Sequence, residues 1–147
     1  MRVVLQRVTE AEVRVGDEVA GAIGPGLVAL VGVAGGDDGG DAVALARKTA
    51  RLRVFPGADG GPERDVLGAG GGVLVVSQLT LLADTRRGNR PSWSPAAPPE
   101  RARELVEAFA HEVAAHGVPV ETGRFGAAMS VHLVNDGPLT ILLDSRD

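Results

Sequence analysis

The chain has 147 residues, a formal net charge of −4 and a pI near 5.4. That length suits one domain, and a domain of this size buries roughly 70% of the surface its unfolded chain exposes. Cysteine is absent, which excludes disulfides and thiolate metal sites. The acidic balance argues against a general nucleic-acid coat, although recognition of one RNA end needs only local positive charge. Aromatic residues make up 3% of the chain and tyrosine is missing, so a surface stacking many bases is not expected.

The first third alternates as strands do. VVLQRV (3–8), EVRV (12–15), EVAGAI (18–23) and LVALVGV (27–33) are β-rich and are separated by glycine-containing turn signals. LVALVGV is almost wholly apolar, which predicts a central strand covered on both faces. DAVALARKTARL (41–52) has helical spacing in Val43, Leu45, Ala46, Ala50 and Leu52, with Arg47, Lys48 and Arg51 opposite. RVF (53–55) reads as a short strand and 56–72 as a Gly/Pro-rich loop. GVLVVSQLTLL (72–82) reads as a second buried strand with a polar interruption.

ADTRRGNRPSWSPAAPP (83–99) is an irregular, locally basic loop. Its Arg86, Arg87, Arg90 and Trp93 suit a phosphate or a base as well as they suit solvent. ERARELVEAFAHEVAAHG (100–117) is the clearest helix. Pro98 or Pro99 starts it, Leu105, Phe109 and Val113 share a face, and Gly117 ends it. VPVET, MSVHLV and LTILLD finish the chain as strands. The whole predicts one mixed α/β domain over 1–147: a layered β/β/α structure with a curled mixed sheet and two main helices. No apolar run reaches the length of a membrane span, and the N-terminus lacks a signal-peptide pattern, so a soluble, cytoplasmic protein is expected.

Several familiar motifs fail. His111 and His116 are five residues apart, which turns their rings roughly 140° from one another on a helix and disqualifies a zincin pair. His132, on a strand, reads as a packing residue. LGAGGGV precedes a strand, whereas a dinucleotide fingerprint follows one, so these glycines read as flexible surface loop. There is no Walker lysine and no GxSxG elbow.

Two motifs remain. SQLT (77–80) ends the strand VLVV and puts hydroxyls, an amide and main-chain N–H groups at a sheet end, where they can orient an ester carbonyl or hold an oxyanion. VNDGPLT (134–140) is either a plain turn or a loop whose backbone is itself the tool. With MRVVLQRVTEAEVRV, GPGLVALVGV, VLVVSQLTLLADTRRGNRPSW and TGRFGAAMSVHLVNDGPLT in this order, the chain resembles the D-aminoacyl-tRNA deacylases along essentially its entire length.

That resemblance implies hydrolysis of the ester in D-aminoacyl-tRNA and mischarged glycyl-tRNA, without a metal or cofactor, by a homodimer. It implies that Gly137-Pro138 is cis and enters the active site of the other subunit. There, main-chain carbonyls receive the substrate's α-ammonium group and leave no room for an L side chain. It places Ser77, Gln78 and Thr80 beside the scissile ester, Phe125 and Met129 around the terminal adenosine, and Arg7 against the Gly-Pro loop. Leu79 stands where the family usually has Phe, which bears on the pocket's shape. Two rivals stay open on the residues alone. One is an enzyme with the dipeptide in trans that removes L-alanine. The other is a module that binds an RNA end without turnover.

Overall fold

A computed structural model describes residues 1–147. Six strands, β1 (Arg2–Val15), β2 (Glu18–Ile23), β3 (Gly26–Gly32), β4 (Gly72–Ser77), β5 (Val120–Thr122) and β6 (Ser130–Asp144), form one sheet. Two helices, α1 (Gly39–Arg51) and α2 (Pro99–Ala115), accompany it. The strand order is β2-β1-β3-β4-β5, and β6 pairs with the other edge of β1. The β3–β4 and β4–β5 pairs are parallel, whereas β1 meets β2, β3 and β6 antiparallel. The sheet curls until β2 returns towards β5: a Cβ on Gly21 would meet the carbonyl oxygen of Thr122.

Strand alternation divides the interior into two layers. Leu27, Ala29 and Val31 of β3 and Val73 and Val75 of β4 pack under the helices with Leu45, Ala46, Leu105, Phe109 and Val113. Val28, Leu74 and Val76 face the other way, into the hollow of the curl, with Val8, Ala11 and Val13. β3 is therefore covered on both faces, as its unbroken apolar run predicts. In β1, Val3 and Leu5 belong to the helix layer and Ala11 and Val13 to the hollow. Both slips in its register against β6, at Gln6/Val8 and Val8/Glu10, lie between these pairs. Irregularities of this kind bend a long strand and re-aim its side chains.

Several expectations are corrected. VVLQRV and EVRV are one strand of 14 residues, because β6 pairs along the whole of it. RVF makes only an isolated bridge between Phe55 and Arg64. SQLTLL leaves the sheet after Ser77 and winds into a 3₁₀ turn, Leu79–Leu82. On α1 the buried face is Ala42, Leu45, Ala46, Thr49 and Ala50, and Val43 is exposed. His132 is exposed on β6 and does not pack in the core. The glycines before β4 are not free loop: Gly71 is buried, and Gly26 lies so near Gly72 that any Cβ would overlap its carbonyl. No helix is long and apolar enough to cross a membrane.

Candidate functional site

β4 delivers the first half of the site. Its last residue, Ser77, still pairs with Val31 of β3, and the Gln78 main-chain N–H donates to the Val31 carbonyl at 2.8 Å. The chain then tightens into the 3₁₀ turn, which turns Leu79 and Thr80 outward; both are exposed. The first N–H groups of such a turn have no acceptor within it. The Gln78 side-chain amide donates to Thr80 Oγ1, fixing both side chains relative to one another.

Residues 125–131 close the opposite wall. A cleft of about 430 Å³ is lined by Ser77, Gln78, Leu79 and Thr80 on one side and by Phe125, Gly126, Ala127, Met129 and Val131 on the other. Val31, Val33 and Val76 form its floor, and Ala97, Pro99 and Ala102 close the end nearest α2. Six candidates far apart in sequence thus meet in one cavity. Phe125 is half-buried, and the Arg103 guanidinium stands 5.1 Å from its ring centroid, within cation–π range. None of the residues lining the cleft is ionisable. Its chemistry therefore consists of hydroxyls, one amide and main-chain dipoles over an apolar floor.

The remaining candidates, Arg7, Gly137 and Pro138, are elsewhere. Between the pairs Thr140↔Gln6 and Asn135↔Val8, β1 uses one residue, Arg7, while β6 uses four, 136–139. VNDGPLT is therefore not a turn between two strands. It is a bulge in a single strand whose two flanks pair with the same partner in the same direction. The Gly137–Pro138 peptide is cis, and both residues are exposed. Val131, at the cleft, is six residues back along β6, or about 20 Å at strand spacing. The bulge does not line the cleft of its own chain.

The base of the bulge is held by Arg7, Asn135 and Asp136, of which Asn135 and Asp136 carry no sign of this role in the sequence. Asn135 Nδ2 donates to the carbonyls of Arg7 (2.9 Å) and Leu139 (3.0 Å), tying the strand to its partner and to the far side of the bulge. Arg7 Nε lies 3.3 Å from Asp136 Oδ2, an ion pair without hydrogen-bond alignment, and Arg7 Nη1 donates to the Val54 carbonyl. Asn135 and Asp136 are visible in the sequence only as turn residues. Ala97 carries no signal, since only folding brings it to the cleft, and neither does Arg103, which folding brings to the Phe125 ring in an adjoining pocket.

The family model described as D-Tyr-tRNA(Tyr) deacylase matches residues 4–144. The chain belongs to the D-aminoacyl-tRNA deacylase family. It is accordingly an enzyme, a hydrolase of the deacylase class. A D-aminoacyl-tRNA deacylase of Roseiflexus sp. (strain RS-1) is 61% identical over 99% of this chain and 94% of that protein. One of Thermomicrobium roseum is 56% identical over 100% and 96%. Among solved structures, a c-Myc DNA unwinding element binding protein superposes with a TM-score of 0.91 at 37% identity, covering 98% of each chain. A structure described as a probable eukaryotic D-amino acid tRNA deacylase superposes at 0.83 with 16% identity over 97% of each, which speaks for the fold alone.

Proposed function

We propose that this protein hydrolyses the ester joining a D-amino acid, or glycine, to the 3′ end of tRNA, and spares L-aminoacyl-tRNA. It would act as a homodimer in the cytoplasm, proofreading the substrates of translation. The observation that carries this reading is the meeting of Ser77, Gln78, Thr80, Phe125 and Met129 in one cleft without an ionisable residue. Phe125 and Met129 suit the flat apolar faces of a terminal adenosine, and the 77–80 segment would then stand beside its esterified ribose. Leu79, half exposed at the cleft, leaves more space there than the Phe common in the family.

A hydroxyl nucleophile needs a neighbouring base. No base lines the cleft around Thr80, and Glu107 reaches only an adjoining pocket that shares Ser77, so attack is assigned to water, with the substrate's ribose 2′-hydroxyl assisting. The protein's part is orientation and charge stabilisation. Gln78 holds the Thr80 hydroxyl as an acceptor, leaving its proton free for substrate. The main-chain N–H groups at the start of the 3₁₀ turn would hold the oxyanion.

The chirality filter would come from the second subunit. Gly137 and Pro138 project from β6 outside their own cleft. The outer edge of β6 carries no partner strand, and Val131, Val134 and Leu142 are exposed along it. A second copy laid on this strand would cover that apolar surface and bring its bulge to the cleft. Main chain held by Arg7 and Asn135 then excludes an L side chain more dependably than a rotatable side chain could. Purified protein should cleave D-Tyr-tRNA and Gly-tRNA and leave L-Tyr-tRNA intact. Equal cleavage of the D and L esters would defeat the filter even with hydrolysis intact.

A further inference from the structure

The loop 83–96 is not used by the site described above, yet it begins and ends at that site. Leu79 and Thr80, just before it, line the cleft, and so do Ala97 and Pro99 at its other end. Its neck is pinned: Asp84 and Ser92 exchange two main-chain hydrogen bonds of 2.8 and 2.9 Å. Between them the chain displays Arg86, Arg87 and Arg90, all exposed. Arg86 is held by Asp84 at 2.8 Å, whereas Arg87 and Arg90 have no acidic partner within 4.0 Å. Three arginines against one aspartate leave this loop positive on a chain of net charge −4. Trp93, the single tryptophan of the protein, is 45% exposed on the same loop.

Positive charge concentrated on a loop whose two ends meet an uncharged cleft suits an anionic partner that continues out of that cleft. We propose that this arginine loop is the docking surface for the RNA strand, with Arg87 and Arg90 contacting phosphates on the 5′ side of the terminal adenosine and Trp93 stacking on an adjacent base. The inference rests on the reading that the cleft holds the 3′ end of an aminoacyl-tRNA. It accounts for how an acidic protein grips a polyanion: the phosphate-binding groups are gathered on one loop and the remaining surface stays repulsive. Such groups fix register and orientation and carry no information about the amino acid. They therefore leave chirality to the cleft.

The test is a titration of uncharged tRNA into the protein at several salt concentrations, read by Trp93 fluorescence, for the native chain and for Arg87→Ala/Arg90→Ala. This variant keeps the Asp84–Arg86 pin. The expected result is quenching of Trp93 and at least five-fold weaker binding by the variant at about 0.1 M salt. The plot of log affinity against log salt should become shallower by about 1.4, at roughly 0.7 for each single-strand phosphate that an arginine no longer neutralises. Hydrolysis of the D-tyrosyl ester of adenosine, which has no phosphate, should be unchanged in the variant. Equal affinity and slope in the two proteins would overturn the proposal. So would an equal fall in adenosine-ester hydrolysis, which would make the loop a mere wall of the cleft. If the native chain cleaves no D-tyrosyl ester, the functional reading fails by itself, and the tRNA titration still decides the loop.

Discussion

Gly137 passes so close to Arg7 that a Cβ placed on it would lie 2.8 Å from Arg7 Nη2. The guanidinium that braces the bulge thus occupies the space a side chain at 137 would need. The φ of Gly137 is +126°, a conformation that L residues rarely adopt. Gly137→Ala should therefore displace the bulge and cost on the order of 1–3 kcal/mol locally. The expected outcome is at least a ten-fold loss of kcat/KM on D-Tyr-tRNA, with Tm lowered by only a few degrees. Unchanged kinetics would remove Gly137 from the site.

Arg7→Lys keeps the charge and loses the fork. A lysine cannot reach Asp136 and the Val54 carbonyl together in fixed geometry, because it carries one compact ammonium. The bulge should loosen without unfolding the protein. Hydrolysis of L-Tyr-tRNA should rise relative to D-Tyr-tRNA, by a few-fold or more, as the wall gains freedom. A D-to-L rate ratio equal to that of the native enzyme would count against a bracing role.

Asn135 satisfies two carbonyls at once. Asn135→Ala leaves both without that donor at the base of the bulge, a loss of about 1–3 kcal/mol. Asn135→Asp should be worse, since a carboxylate would face two carbonyl oxygens. Denaturant titration of the three proteins should order them as native, Ala, Asp in falling stability.

Thr80→Ala separates the two chemical routes. With no base lining the cleft, the proposed role of Thr80 is to orient and not to attack. Single-turnover hydrolysis of D-Tyr-tRNA should keep most of its rate. A loss of several orders of magnitude would instead point to a covalent acyl-enzyme.

The pH dependence follows from the same absence of ionisable lining. Across pH 5–9 the enzymatic rate should parallel the pH profile of the free ester, without an inflection from a protein side chain. In the arginine loop, the side-chain hydrogen bond from Arg86 holds the Asp84 carboxyl at about 2, below its ordinary value. A lowered carboxyl contributes above its unfolded pKa of about 3.9 and loses that contribution as pH falls towards 2. The salt slope of tRNA binding should therefore be the same at pH 5 and pH 8.

The sequence by itself determined the elements whose pattern is local. The apolar run of β3, the 3.6-residue face of Leu105, Phe109 and Val113, the proline that opens α2 and the glycine that ends it all follow from side-chain periodicity and backbone preference. The SQLT and NDGP motifs were equally legible, because their residue types are unusual where they stand. Tertiary structure alone decided how these parts relate. Pairing with one long β1 turned an apparent turn at 134–140 into a bulge opposite a single residue. It also tied the Asn135 side chain to the Arg7 carbonyl, 128 positions away, at the base of that bulge. Local patterns cannot encode this, since strand register and the meeting of β4 with residues 125–131 depend on hydrogen bonds and packing between distant segments.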